Sequence, residues 1–250
     1  MVSDAFNIAI TNFILFVIVI VARKIISNDP VDNFLVFKKN KNKRLFLEGS
    51  LVGFILIHIY VIITLLFNVG SLDLNFSFSI DFLYVISVFI LAFLAVSLFE
   101  ESLFRDYLLV KFRKRFGTEK AILLSSVLFS LLHIFGYSST GNLTVIGLFN
   151  AFLIGILLSV VVISTHSIMW VLGFHLFWNL TQTIFLDIEI GGIVLNIDQG
   201  IWAGTKFIPE AGLIVSIVLF ILYIYIIKRF DASYLIPKFK GFGWRYLSNK

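Results

Sequence analysis

The stretch from Phe82 to Arg105, FLYVISVFILAFLAVSLFEESLFR, decides the fold class of this chain. It carries no charge from Phe82 to Phe99, and then presents Glu100, Glu101 and Arg105 in quick succession. An apolar run of this length is typical of a helix that crosses a lipid bilayer, which needs about 20 residues. The carboxylates at its end predict a functional site, because ionisable groups are costly inside a membrane.

The composition of the whole chain indicates the same class. The 250 residues are 59% hydrophobic and only 14% charged, and the mean hydropathy is +1.00. A soluble domain carries roughly 25% charged residues, so a chain with so few charges could not cover its surface in water. Because cysteine is absent, disulfides and cysteine-ligated metal centres are excluded.

We therefore predict an all-α fold, a polytopic transmembrane helix bundle that forms a single membrane-embedded domain over residues 1–250. Seven hydrophobic segments have the length of a membrane span. They cover approximately residues 5–22, 49–69, 80–104, 121–137, 143–164, 167–186 and 211–227. The 187–210 segment between the last two spans is expected to form a structured external cap.

The distribution of charge predicts the orientation of these spans. All but one of the 20 basic residues lie in residues 23–44, 105–120 and 228–250, which fall on one side when seven spans alternate. The opposite side holds acidic residues and a single basic residue, Lys206. Because basic loops stay in the cytoplasm, we expect a multi-pass protein of the cell membrane with its N-terminus outside and its C-terminus cytoplasmic. The basic loops would contact membrane lipids, and no nucleic-acid partner is expected.

The two carboxylates at the end of the third span are expected to differ in role. Glu101 and Arg105 are four residues apart on one helical face, so Arg105 can neutralise Glu101. Glu100 points about 100° away and lacks that partner, which suits a general base. The alternative is a helix end where the chain leaves the bilayer and charges are tolerated.

Two further helices carry polar pairs at the same spacing. Phe129 shares a helical face with His133, and His175 shares one with Asn179. A histidine and an asparagine that point in one direction can donate to an oxyanion, while a glutamate and a histidine that converge on water can activate it. The alternative for each residue is structural, because such side chains also form hydrogen bonds between packed helices.

The three motifs resemble a known family. Glu100-Glu101-x-x-x-Arg105, Phe129-x-x-x-His133 and His175-x-x-x-Asn179 are similar to the ordered motifs of the CPBP intramembrane proteases. That family includes CaaX prenyl endopeptidases and bacteriocin-immunity-type (Abi) proteins, and the matched stretch covers about residues 80–185. The resemblance implies about eight spans, so an additional half-span is expected within 187–210 or 31–50.

The resemblance also implies an intramembrane endopeptidase. Glu100 and His133 would activate water, His175 and Asn179 would form the oxyanion site, and Glu101, Arg105 and Phe129 would support them. The substrate would be a protein or peptide, either prenylated or not. No cofactor is expected; the alternative is zinc, for which Glu100, His133 and His175 are acceptable ligands, although the chain contains no His-Glu-x-x-His.

Two other functions compete with this interpretation. One is a non-catalytic immunity or scaffold protein of the same family. The other is a transporter or proton relay, for which paired, interrupted helices would be expected, and the sequence shows no such symmetry. Three further features receive no catalytic role: Asp106 replaces a glycine that is frequent in the family, His58 is interpreted as structural, and Pro209-Glu210 is interpreted as a helix start.

Overall fold

The computed structural model describes residues 2–27, 40–74, 79–186, 193–206, 208–230 and 232. These residues are mostly helical, which confirms the predicted helical class. The helices are α1 (Val2–Ser27), α2 (Asn40–Leu66), α3 (Ile80–Glu101), a π-helix (Ser102–Leu108), α4 (Leu109–Phe116), α5 (Thr118–Leu132), α6 (Ile134–Tyr137), a 3₁₀ helix (Ser138–Leu143), α7 (Thr144–Thr165), α8 (Met169–Leu186), a second 3₁₀ helix (Pro209–Ala211) and α9 (Leu213–Phe230).

Two short strands depart from the all-α prediction. Strands β1 (Gly70–Leu74) and β2 (Ile193–Ile197) pair in antiparallel fashion, with Gly70 opposite Ile197 and Leu74 opposite Ile193. β2 lies in the segment in which an additional half-span was one option. Residues 193–206 contain no helix, so this described part of the segment does not provide that half-span. Residues 31–39 of the other candidate segment lie outside the described residues.

Five segments of the described chain are long and apolar enough to cross a membrane. They are Val2–Ile25, Lys41–Leu66, Ile80–Phe116, Ile134–Thr165 and Leu213–Phe230. The predicted count of seven to eight spans is therefore not confirmed. The predicted span 121–137 is divided at His133 into α5, whose 15 residues extend about 22 Å, and the four-residue α6. The predicted span 167–186 corresponds to α8, which contains several polar residues near its middle. The apolar helices and their exposed Ile, Leu and Phe side chains are nevertheless those of an integral membrane protein.

The close packing of α2 against α8 depends on glycine. A Cβ atom at Gly49 would lie 1.9 Å from the carbonyl oxygen of Trp170, and one at Gly53 would lie 2.5 Å from that of Phe174. On the other helix, a Cβ atom at Gly173 would lie 2.2 Å from the carbonyl oxygen of Phe46. Small residues let the backbones of membrane helices approach this closely. The contact fixes α8, the helix that carries His175 and Asn179.

A second contact closes the opposite end of the bundle. Residues 198–206 and 208–212, here called the cap segment, lie against α2 and α7. Tyr60 of α2 donates a hydrogen bond from its hydroxyl to the carbonyl oxygen of Ala203 (2.9 Å). The Asn150 amide of α7 donates to the carbonyl oxygens of Glu210 (2.8 Å) and Gly212 (3.1 Å). The predicted structured cap is thus present in the described residues, and it turns inward between the helices.

The glycine contact leads to a stability prediction. We expect Gly49→Ala to destabilise the protein by about 1–3 kcal/mol, because the added methyl group overpacks the α2–α8 contact. The matched control is Gly136→Ala, since a Cβ atom there has no neighbour within 4 Å. Thermal unfolding in detergent should show a melting temperature lower by about 2–4 °C per kcal/mol for the first variant. Equal melting temperatures for the two variants would contradict the role assigned to this contact.

Candidate active site

The two acidic residues lie where α3 changes into the π-helix. Glu100 is 9% exposed and Glu101 is fully buried. The π-helix begins at the next residue, Ser102, and carries Arg105. Such wide helical turns occur frequently at functional sites. The helix end is therefore inside the protein, which argues against a simple exit of the chain from the bilayer at this point.

Arg105 is the buried partner of Glu101, as the spacing predicts. Its Nη1 lies 3.4 Å from Glu101 Oε1, its Nε lies 3.4 Å from Glu101 Oε2, and both side chains are fully buried. The guanidinium carbon lies 4.0 Å from the centre of the Phe129 ring. A buried charge needs a partner, and loss of one member of such a pair costs about 3–5 kcal/mol. The Arg105 side chain thus links the π-helix to α5 through Phe129.

Glu101 has a second partner on another helix. His175 Nδ1 lies 2.9 Å from Glu101 Oε1. Because the carboxylate paired with Arg105 is an acceptor only, Nδ1 of His175 carries the proton and donates it. The other ring nitrogen, Nε2, lies 3.9 Å from Glu100 Oε2. Glu101 therefore orients the imidazole of His175 toward Glu100.

The second imidazole, that of His133, is oriented by its own helix. Its Nδ1 lies 2.8 Å from the carbonyl oxygen of Phe129, and its ring packs against the Phe129 ring with centroids 4.7 Å apart. A carbonyl oxygen accepts but cannot donate, so Nδ1 of His133 carries a proton. In the neutral ring the lone pair then belongs to Nε2, which lies 4.0 Å from Glu100 Oε2.

Glu100 Oε2 is thus faced by two histidine nitrogens at nearly equal distances. Separations of 3.9 and 4.0 Å exceed a direct hydrogen bond, and this buried oxygen has no hydrogen-bond partner among the described residues. Buried polar atoms are almost always paired with protein or ordered water. The spacing is suited to one small polar molecule that bonds both the carboxylate and an imidazole.

A cavity of about 70 Å³ adjoins these groups. Its polar lining includes His133, His175 and Asn179, and a cavity of this size can hold several water molecules. Glu100 is not a lining residue, but its Oε2 lies 3.9–4.0 Å from the Nε2 atoms of the two histidines that line the cavity. Asn179, one turn beyond His175, is half-buried and makes no side-chain hydrogen bond to another described residue. The structure therefore brings the predicted residues of all three motifs together.

The positions of these side chains can be compared with those required to bind zinc, the alternative cofactor. The donor set of Glu100, His133 and His175 is chemically acceptable, and each histidine bonds through Nδ1 to an oxygen, as metal-ligating histidines usually do. Within the described residues, however, no three His, Cys, Asp or Glu side chains converge closely enough to hold a metal ion. The positions of these three groups therefore do not fit a zinc ion.

One acidic residue of the cavity has no place in the predicted site. Glu210 lines the same space, and its Oε1 accepts a hydrogen bond from Trp178 Nε1 at 3.1 Å. Its sequence neighbours predict only a helix start, which is the second 3₁₀ helix. No local pattern could have found it, since 32 residues separate it from Trp178.

His58 and Asp106 lie outside the cavity. His58 bonds to the carbonyl oxygen of Phe54 through Nδ1 (2.9 Å), and its ring lies between those of Phe54 and Phe185, which agrees with a structural role. Asp106 forms an ion pair with Arg23 of α1. The replacement of the glycine that is frequent in the family thus ties α1 to the π-helix and leaves the site residues in place.

A family model described as type II CAAX prenyl endopeptidase Rce1-like matches residues 82–181, which is less than half of the chain. No curated protein and no solved structure matches the chain. The matched segment extends from the start of α3 into α8 and contains all three motifs. Residues 82–181 therefore carry the signature of the CPBP/CAAX protease family, and the resemblance seen in the sequence is confirmed.

Proposed function

We propose that this protein is an intramembrane endopeptidase that hydrolyses a peptide bond near the cytoplasmic face of the membrane. The observation that supports the proposal most strongly is the position of Glu100 Oε2, buried and 3.9–4.0 Å from Nε2 of both histidines. A carboxylate and an imidazole at this spacing can share one water molecule. The family match supports a CAAX-type protease, and the choice of residues and of mechanism is our proposal.

The nucleophile in this mechanism is a water molecule between Glu100 and His133. It donates one hydrogen bond to the Glu100 carboxylate and one to the unprotonated Nε2 of His133. As its oxygen forms a bond to the carbonyl carbon of the substrate, Glu100 takes up the proton. Glu100 is suited to this step because its buried Oε2 has no other hydrogen-bond partner among the described residues and can therefore accept from the water molecule.

The oxyanion of the tetrahedral intermediate is stabilised from the opposite side. His175 in its imidazolium form donates Nδ1–H to Glu101 and Nε2–H to the oxyanion, while the Asn179 amide donates a second hydrogen bond. Fixed donors of this kind are effective because they need no reorganisation as charge develops. The carbon–nitrogen bond then breaks, and Glu100 returns its proton to the leaving amine.

The substrate class follows from the site and the membrane together. A peptide bond that reaches this cavity belongs to a protein or peptide held at the bilayer, and CaaX-type processing of a prenylated C-terminus is one form of that reaction. We propose membrane lipids and such a substrate as the partners of this protein. The proposed topology has seven spans, the N-terminus outside and the C-terminus in the cytoplasm.

The topology can be tested directly, since the chain lacks cysteine. We expect an impermeant maleimide to label Ser3→Cys in intact cells, because the N-terminus is assigned to the outside. Ser248→Cys should be labelled only after the cells are made permeable. The opposite pattern, or labelling of both variants in intact cells, would contradict the proposed orientation.

Loss of the Glu100 charge should abolish cleavage. We expect Glu100→Gln to lower the cleavage rate about 10²–10⁴-fold, since the amide cannot accept the proton of the attacking water. Comparison of peptide termini in membranes that contain wild type or variant at matched levels would measure this loss and identify the substrate.

The matched control for that experiment is Glu119→Gln, which removes an exposed carboxylate at the start of α5. It should leave the peptide termini unchanged. Identical termini in wild type and Glu100→Gln, with both proteins folded and inserted, would instead favour the non-catalytic immunity or scaffold function.

Metal removal separates the water mechanism from the zinc alternative. We expect dialysis of the purified protein against a strong chelator to leave the cleavage rate unchanged, because Glu100 and His133 activate water without a metal ion. The rate should be measured before dialysis, after dialysis and after addition of zinc. A rate that is lost on dialysis and restored by zinc would assign Glu100, His133 and His175 as ligands instead.

A further inference from the structure

Glu210 is an acidic group inside the cavity that the proposed mechanism does not use. It is half-buried and lines the cavity together with His133, Asn179 and two aromatic residues, Tyr137 and Trp178. Whereas Glu100 comes from α3, Glu210 enters from the cap segment. Glu210 is therefore a carboxylate that lines the cavity itself, whereas Glu100 lies next to two of its lining residues, His133 and His175.

The backbone around Glu210 is held in one position. Its own carbonyl oxygen accepts a hydrogen bond from Asn150, and the Oδ1 atom of Asn150 accepts one from Ser216 (2.8 Å). Close by, a Cβ atom at Gly212 would lie 2.5 Å from the backbone nitrogen of Gly204. Because the cap segment packs this tightly, the Glu210 side chain is presented to the cavity from a rigid support, as a binding group requires.

The Glu210 carboxylate has no lysine or arginine partner among the described residues, and the titratable side chain that acts on it is His133. Its interactions are with Trp178, Gln182, its own backbone and His133, and none of these is a lysine or an arginine. Burial raises the pKa of the Glu210 carboxyl above its ordinary value. A cation placed beside it would oppose that effect and stabilise the charged form, since an opposite charge favours ionisation.

The aromatic and apolar residues around Glu210 also favour the binding of a cation. Trp178 and Tyr137 line the cavity beside the carboxylate, and the faces of such rings attract ammonium and guanidinium groups. Ala151, Ile154, Val215 and Leu219 supply apolar walls. Attraction between opposite charges is stronger in such surroundings than in water. An anionic group would be repelled for the same reason.

We propose that Glu210 forms a binding subsite for a cationic side chain, lysine or arginine, which the substrate carries close to the bond that is cleaved. The proposal rests on the proposed endopeptidase function, because it takes the bound cationic side chain to be part of a substrate. The subsite itself rests only on the position of Glu210 in the cavity. It assigns the selection of the substrate to the cap segment, and the chemistry to residues of α3, α5 and α8.

Binding can be tested without any activity. The probes are methylguanidinium and N-methylurea, which have nearly the same planar shape and differ by one charge. Thermal unfolding of the full chain in detergent would be followed as each probe is titrated. We expect methylguanidinium to raise the melting temperature of the wild type and N-methylurea to have no such effect, because only the cation can pair with Glu210.

Three variants locate the bound cation. Glu210→Gln keeps an acceptor for Trp178 and loses the charge, so it should bind methylguanidinium at least about tenfold more weakly, which corresponds to about 1.4 kcal/mol. Glu100→Gln and Asp198→Asn should bind it as the wild type does, since Asp198 is an exposed carboxylate of the same cap segment. Equal binding of both probes, or binding lost in Glu100→Gln and retained in Glu210→Gln, would overturn the proposal.

A measurement on the wild type covers the case in which Glu210→Gln fails to fold. Carboxyl groups would be modified with a carbodiimide in the presence of each probe, and the modified residues identified by mass spectrometry. Protection of Glu210 by methylguanidinium and not by N-methylurea supports the subsite. Equal modification of Glu210 with both probes overturns it.

Cleavage provides the second test. Peptides that differ only in lysine, glutamine or glutamate beside the cleaved bond should be cut by the wild type in that order of kcat/KM. In Glu210→Lys the order of lysine and glutamate should reverse. A wild type that cuts all three equally overturns the proposal. Cation binding at Glu210 with no cleavage of any peptide, by wild type or by Glu100→Gln, would refute the endopeptidase function and leave the subsite standing.

Discussion

The buried ion pair of Glu101 and Arg105 is the interaction on which the rest of the site depends. Both side chains are fully buried, so neither charge is stable without the other. The pair reaches two other helices, because Glu101 accepts from His175 of α8 and the Arg105 guanidinium stacks on Phe129 of α5. His133 is in turn oriented by the Phe129 carbonyl oxygen and ring. Both imidazoles are thus turned toward Glu100 by contacts that lead back to one salt bridge.

This arrangement gives two adjacent carboxylates different chemical roles. Glu101 has its charge compensated by Arg105 and its oxygen occupied by His175, so it is an orienting group. Glu100 has a buried oxygen without a hydrogen-bond partner among the described residues. This oxygen is free to accept a hydrogen bond from water, as the general base of the proposed mechanism must. In that proposal the same helix turn supplies both the support and the reactive group.

Two packing contacts hold the residues around the cavity in place. The glycines of α2 and α8 bring these backbones into direct contact, which fixes the depth of His175 and Asn179. From the other end, the cap segment turns into the bundle and is held by Tyr60 and Asn150. The cavity between these two contacts has apolar walls, and its few polar groups come from separate parts of the chain. Pockets with apolar walls and a few placed polar groups are typical binding sites, which agrees with the proposed endopeptidase function.

The sequence by itself determined the membrane class, the helical fold and the pairs that lie within one helix. These follow from composition and from the 3.6-residue period, which are local properties: the contact of Arg105 with Glu101 and that of His133 with Phe129 were both predictable from a spacing of four. The number of spans was not determined by the sequence alone. It depends on the polar residues of α8 and on the short length of α5, and both of these depend on the helices that pack against them. Only the tertiary structure decided that Glu101 holds His175, that Glu100 lies between two imidazoles, and that Glu210 enters the cavity. The physical reason is that these contacts join residues from 32 positions apart (Trp178 and Glu210) to 75 positions apart (Glu100 and His175). No local spacing records which helices the bundle brings together.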